Sequence, residues 1–314
     1  MRIVDHWKTQ KKPCVAFEFY PAKTPKAEAS LLQTIDRLAA LAPDFATITF
    51  GAGGSTREGS RQLVARLKKE KGLDVVAYFA GYGLGREEIT EVLDGYSETG
   101  VENVLVVRGD PPRDPAFRPH PGSMTYASDL LAFIRPKFPF CLGAAGYPEG
   151  HVQAGNPERD ADFLKRKVDE GAEFIITNYF FDNRFFFDYV ERCRARGVTV
   201  PILPGVMPIY TLKMTETVSG TCGASIPAGL RKQLAGIPEE DKQACADFGI
   251  DFAERQSREL LAAGVPGVLF YTMNRWESVS TIVRRLQADG LIQEAKETVE
   301  NSAREIPPTA SGTG

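Results

Sequence analysis

The chain has 314 residues, of which 43% are hydrophobic and 25% charged, with a formal net charge of −3. That balance offers no basic field for nucleic acid or an anionic membrane, and no apolar run approaches the ~20 residues of a membrane span. The five cysteines are scattered without a CxxC pair and the three histidines lie far apart, so neither a disulfide framework nor a metal site is expected, and the reading is a cytoplasmic protein with reduced thiols.

Residues 1–13, MRIVDHWKTQKKP, lack the apolar core and cleavage site of a signal peptide. The first predicted strand is CVAFEFY (14–20). KAEASLLQTIDRLAAL (26–41) follows, with Leu31, Ile35, Leu38 and Leu41 on one helical stripe. FATITF (45–50) is the second strand, and STREGSRQLVARLKKEKGL (55–73) is a helix with Ser55 or Thr56 as N-cap and Gly72 at its end. DVVAYFAG (74–81) leads into a helix over GREEITEVLDGYSETG (85–100), then VENVLVVRG (101–109) and PFCLGAAGY (139–147). The helix ERDADFLKRKVDEGA (158–172) precedes EFIITNYFF (173–181), VPILPGVMP (200–208) and, after a longer helical stretch, GVLFYTMN (267–274). Both glycine-ended helices suit a glycine C-cap.

Most of these strands are nearly continuous in apolar residues, the pattern of parallel strands covered on both faces. Eight βα units predict an α/β fold of the (β/α)8 TIM-barrel type with a helical insertion before the last strand. GAGGS (51–55) and GYGLG (81–85) lack GxGxxG spacing and read as tight βα loops rather than phosphate cradles. The expected organisation is one catalytic domain over residues 1–290, then a polar helical tail over 291–314 whose end, PPTASGTG, is disordered.

Active sites of such barrels lie at the C-terminal ends of the strands. The polar residues there are Glu18, Thr49, Arg108 with Asp110, Tyr147 with Glu149 and His151, Asn178 with Asp182, and Tyr271 with Asn274 and Arg275. Alternation puts Cys14, Ala16 and Glu18 on one face of the first strand, with the carboxylate at the rim. Phe17, Phe19 and Tyr20 are expected to surround it and disfavour its ionised form. A Glu paired with Arg or Lys at the rim is the alternative.

FEFYPAKT, TITFGAGG, RGDPP, YASDL, AAGYPEGH, LKRKVDEGAEFIITNYFFD, PILPGVMP and FYTMNR stand in order from about residue 13 to residue 288. Together they resemble the methylenetetrahydrofolate reductase family, in its bacterial single-domain form. The resemblance implies a TIM barrel that holds FAD and reduces 5,10-methylenetetrahydrofolate to 5-methyltetrahydrofolate with NADH or NADPH. It implies Glu18 as the general acid and Asp110 as the carboxylate that tunes the flavin, both also touching the folate. It implies cofactor contacts at Thr49, Tyr78, Arg108, Gly109, Asp110, Tyr126, Ala127, Tyr147 and His151. Asp160, Arg166 and Lys167 would hold the ribose and diphosphate. Asn178, Tyr210, Leu212, Tyr271 and Arg275 would form the folate and nicotinamide side. The family also implies a homo-oligomer. From the residues alone, GDPP reads equally as a turn and Arg166 and Lys167 as solvated helix charges.

The chain departs from the family pattern at Tyr78-Phe79-Ala80, where many bacterial members have His-Leu-Thr, at Asn178 for Gln, at Phe163 for Asn and at Leu212 for an aromatic residue. These departures keep two other readings open. One is a barrel that passes hydride directly from the nicotinamide without flavin. The other is a folate-binding barrel without catalysis.

Overall fold

Eight parallel strands pair in chain order and close with β1 against β8. The computed structural model describes residues 1–50, 54–112 and 114–294. The elements are α1 (Ile3–Thr9), β1 (Cys14–Phe19), α2 (Pro25–Ala39), β2 (Phe45–Ile48), α3 (Gly54–Lys71), β3 (Val75–Ala80), α4 (Arg86–Glu98) and β4 (Asn103–Val107). There follow α5 (Ala127–Ile134), β5 (Cys141–Gly146), α6 (Pro157–Asp169), β6 (Phe174–Tyr179), α7 (Asn183–Ala195) and β7 (Ile202–Val206). The chain then runs through α8 (Leu212–Cys222), α9 (Ala228–Ala235), α10 (Lys242–Ala262), β8 (Gly267–Tyr271) and α11 (Glu277–Ala288). All eight predicted strands are present, each beginning within two residues of its expected start.

Alternation divides each strand's side chains between two apolar layers. On β1, Val15, Phe17 and Phe19 face outward and pack with the helices, where Leu31, Ile35 and Leu38 of α2 are also buried. Cys14 and Ala16 face inward and meet Phe45, Val76, Leu105, Phe174 and Leu269 inside the barrel. That division corrects one expectation. Phe17 and Phe19 lie on the opposite face of the strand from Glu18, so they are not what surrounds its carboxyl.

The inner layer is closed at the N-terminal end by α1, a helix that no periodicity in the sequence signals. Seven residues are too few for a period to show. Ile3, Val4 and Trp7 nevertheless plug the barrel floor. The Trp7 ring stands edge-on to Phe45 and Phe174, at 6.3 and 5.9 Å between centroids, and its Nε1–H donates to Cys14 Sγ at 3.0 Å. Asp44 ties the plug to β1: its carboxylate bonds His6 Nε2 at 2.8 Å and accepts from the Val15 amide at 2.6 Å.

The predicted insertion is α8, α9 and most of α10. Leu230, Leu234 and Cys245 from it pack with Tyr179, Phe181, Met207 and Ile209 beyond the ends of β6 and β7, which raises a wall on that side of the mouth. Glu149, in the loop after β5, accepts the Ser225 amide at 3.0 Å and pins the insertion to the opposite loop. At the C-terminal side, residues 291–294 are not helical, and Ile292 is buried in the outer core, so the expected polar helix does not begin there. The remainder of that tail, most of GAGGS and the caps expected at Ser55 and Thr56 lie outside the described side chains. Among the described residues no helix is long and apolar enough to cross a membrane.

Candidate active site

Glu18 is the last inward-facing residue of β1. Its register partners are Thr47 on β2 and Tyr271 on β8. Its backbone is fixed from β8 by Thr272 Oγ1, which donates to the Glu18 carbonyl at 2.6 Å. The side chain reaches into the open mouth, and two hydroxyls converge on one of its oxygens. Tyr78 on β3 donates to Oε2 at 2.6 Å, and Thr47 donates to the same oxygen at 3.4 Å. Burial pushes the Glu18 carboxyl up to about 7, against the smaller opposing effect of those two hydrogen bonds. The rim ion pair considered as the alternative is absent: among the described residues no cation is paired with Glu18.

Tyr271 completes this side of the mouth. Its hydroxyl donates to the Thr177 carbonyl at 2.9 Å, and its ring stands edge-on to Tyr179 at 5.5 Å. The ring can lie there only because β7 has glycine at 205. A Cβ on Gly205 would stand 2.4 Å from the Tyr271 ring and 2.5 Å from the Thr177 oxygen.

A separate cavity of about 460 Å³ opens beside the ends of β4 and β5 and along α6. It gathers Arg108, Tyr126, Ala127, Tyr147, His151, Asp160, Arg166 and Lys167, all eight of them expected cofactor contacts. Lys167 donates to the Ala145 carbonyl at 2.9 Å, and its ammonium lies 5.7 Å from the centre of the Tyr147 ring. Tyr147 in turn stands edge-on to His151 at 4.7 Å. Asp160 is only 4% exposed. Burial raises its carboxyl, and the Lys167 charge opposes that. Burial likewise lowers the Lys167 ammonium against the pull of Asp160, and holds the His151 imidazole below its ordinary range. Arg108 is aimed by Gln153, whose Oε1 accepts from Nη1 at 2.5 Å.

The remaining expected residues fall around these two centres. Gly109 has φ of +86°, and a Cβ there would come within 3.0 Å of Ala80, so only glycine turns the chain so close to β3. Asp110 follows it, exposed, and its charge reaches His151. Thr49 is half-buried just past β2, where its amide donates to the Phe19 carbonyl at 3.0 Å. Asn178 is half-buried on β6. Tyr210 is buried, and its hydroxyl donates to the Thr272 carbonyl at 3.0 Å. What it offers is a ring beneath the exposed Arg275 guanidinium, 4.9 Å from its centre. Leu212 packs against the cluster under the insertion.

Three participants were missed. Thr47 has the inward parity of Phe45 on β2, and that alternation is signal enough to find it. Arg159 lines the cavity four residues before Phe163, the position already marked in the sequence as departing from the family pattern, and its guanidinium lies 5.9 Å from the Phe163 ring. Their spacing with Arg166 marks one helix face. Gln153 lies in a loop and carries no such signal.

Comparison with known proteins identifies the family. The family model described as methylenetetrahydrofolate reductase matches residues 2–287. Methylenetetrahydrofolate reductase (NADH) 1 of Arabidopsis thaliana is 35% identical over 94% of this chain and 52% of its own length. The 5,10-methylenetetrahydrofolate reductases of Pectobacterium carotovorum and Escherichia coli are 32% and 31% identical. They match 84% and 87% of this chain and 86% and 90% of their own lengths. The chain thus spans about half the length of the plant and yeast relatives it matches. A solved structure, an uncharacterized protein from Clostridium thermocellum that binds two copies of 5-methyl-5,6,7,8-tetrahydrofolic acid, superposes with a TM-score of 0.61. It is 14% identical and covers 91% of this chain and 99% of its own, a likeness of fold alone. With a family match over nearly its whole length, this chain belongs to the methylenetetrahydrofolate reductase family.

Proposed function

We propose that this chain reduces 5,10-methylenetetrahydrofolate to 5-methyltetrahydrofolate, with NADH or NADPH as the source of reducing equivalents and FAD as the cofactor. The observation that carries the reading is Glu18, a carboxyl raised to about 7 at the mouth of a barrel. To accept hydride, the bridging carbon of the substrate must first become an iminium. Its ring opens only when the departing nitrogen takes a proton. An acid that is still half protonated at neutrality does this, whereas an ordinary glutamate is ionised.

The cavity's donor set fits the cofactor. Arg108, Arg166 and Lys167 supply positive charge for a diphosphate, and the buried Asp160 supplies an acceptor for ribose hydroxyls. Tyr126, 58% exposed at the rim, offers an uncovered aromatic face. When bound, FAD links nicotinamide oxidation to folate reduction by carrying the hydride between them. Asp110 adds a negative charge on the side of the mouth nearest His151 and disfavours build-up of further negative charge there.

The test is the absorption spectrum of the purified chain together with anaerobic oxidation of NADH or NADPH on addition of methylenetetrahydrofolate. A flavin band with folate-dependent oxidation is the expected result. Folate binding without turnover under either nicotinamide would sink the reading. One observation favours a second reading, direct hydride passage without flavin: the Phe163 ring, 38% exposed, adds an apolar face to the cavity on the same helix as Arg166 and Lys167. A colourless protein with full turnover would establish that alternative.

A further inference from the structure

The two oxygens of Glu18 are not equivalent. Both hydroxyl donors, Tyr78 at 2.6 Å and Thr47 at 3.4 Å, end on Oε2. Among the described residues no donor reaches Oε1. The shorter contact also crosses the mouth: β1 pairs with β2 and β8, so Tyr78 on β3 reaches over β2 to make it. Both partners are held from behind. The Glu18 carbonyl takes the Thr272 hydroxyl at 2.6 Å. The Tyr78 carbonyl takes the hydroxyl of Tyr96, a buried residue of α4, at 2.8 Å. The titratable groups that face Glu18 are the hydroxyls of Tyr78 and Tyr271; Thr47 faces it from β2.

We propose that Tyr78 is a positioning residue for Glu18: its hydroxyl occupies Oε2, confines the acid proton to Oε1, and stabilises the carboxylate left when that proton is delivered. The inference rests on Glu18 being the acid and adds the group that aims it. A neutral carboxyl accepts through one oxygen and donates through the other, and a phenol whose proton already points at Oε2 leaves only Oε1 to carry the acidic hydrogen. In the step itself the O–H bond at Oε1 breaks and an N–H bond forms on the departing nitrogen of the substrate. The O–H electron pair stays on the carboxylate, and the breaking C–N pair goes to that nitrogen. The Tyr78 hydrogen bond is then charge-assisted and stronger than before. Water at the mouth returns a proton to Oε1, so no oxidant or reductant is consumed.

The test compares wild type, Tyr78→Phe and Glu18→Gln in two measurements. The first needs no turnover: infrared difference spectra against pH, in which the protonated-carboxyl band lost in Glu18→Gln reports the titration of Glu18. The ring of Phe keeps the packing, and a thermal melt checks the fold. In Tyr78→Phe the midpoint of that band moves upward by about one pH unit, the loss expected for one hydrogen bond to a charged group. The second is methylenetetrahydrofolate reduction. kcat falls about tenfold to a hundredfold with KM nearly unchanged, and the limb of the pH profile that reports the acid moves in the same direction as the band. A midpoint that stays in place or moves downward overturns the proposal, as does an unchanged kcat in a variant whose Glu18→Gln counterpart is inactive. A shifted midpoint with Glu18→Gln still fully active overturns the acid assignment instead and leaves the Tyr78–Glu18 coupling standing.

Discussion

Cys14 and Glu18 sit on the same inward face of β1, at its two ends, and burial acts on both in the same direction. It pushes the Cys14 thiol well above its ordinary range and the Glu18 carboxyl to about 7. The outcome differs because the surroundings do. Cys14 is fully buried under the α1 plug, its sulfur taking the Trp7 N–H, and it stays neutral at any pH the protein meets. Glu18 faces an open mouth and keeps two hydroxyl donors, so its shift stops within reach of neutrality. Desolvation alone makes an inert group; desolvation tempered by a few donors and a path to water makes a titratable one.

The contrast is broken most sharply at Glu18. Glu18→Gln preserves volume and hydrogen bonding but holds no acid proton. Reduction of methylenetetrahydrofolate is expected to fall by about 10²- to 10⁴-fold, while nicotinamide oxidation with an artificial acceptor stays near wild type, both read by steady-state kinetics. The opposite pattern is expected at the floor. Trp7→Ala removes the ring that closes the inner core against Phe45 and Phe174, at a cost of about 3 kcal/mol. Urea unfolding should show that loss, with turnover per folded molecule unchanged. A Trp7→Ala protein of normal stability would mean that α1 is not a structural plug.

The distinction between floor and mouth was partly legible in the residues. Alternation along CVAFEFY placed Cys14, Ala16 and Glu18 on one face because a strand's period is two whatever it packs against. The same parity, applied to Phe17 and Phe19, assigns them to the helix-facing layer, and the aromatic setting first expected for the carboxyl ignored it. Tyr78 was expected as a cofactor contact, and its bond to Glu18 was invisible because it joins residues sixty apart across an intervening strand. Only closure of the barrel brings β1 and β3 within reach of one another. Arg108, Tyr147 and His151 of the cavity were legible as polar residues at strand ends, whereas the α6 charges were pointed to by the family resemblance alone, since a helix charge run by itself reads as a solvated face. α1 escaped notice because its three apolar residues, Ile3, Val4 and Trp7, are too few to set a period.

Glu18 also couples stability to pH, with a sign opposite to that of a salt-bridged carboxylate. Its ordinary value is 4.5 and its folded value about 7. Between those pH values the folded chain holds a proton that the unfolded chain has released, so this contribution is fully present below 4.5 and is lost as pH rises through 7. The full span is worth at most about 3 kcal/mol. The stability difference between Glu18→Gln and wild type, measured by denaturant unfolding from acid to mildly alkaline pH, should therefore grow in favour of the variant as pH rises. A difference independent of pH would place the Glu18 carboxyl at an ordinary value and remove the physical basis for the role of acid proposed for it.

The smallest expected effect comes from the other end of the strand. Cys14→Ala deletes the sulfur that accepts the Trp7 N–H and leaves that partly buried donor without it, which costs about 1 kcal/mol. The site is tight: a Cβ on Gly267 would come within 2.3 Å of the Cys14 sulfur, so the small void left behind is lined by backbone that cannot easily close over it. Because the Cys14 thiol is already neutral throughout, the loss should be the same at every pH, and the pH profile of folate reduction should not move. Melting curves of Cys14→Ala at several pH values, set beside those of Glu18→Gln, test this directly. A pH-dependent loss in Cys14→Ala would show that the floor titrates as the mouth does, and the division between an inert and a poised end of β1 would fail.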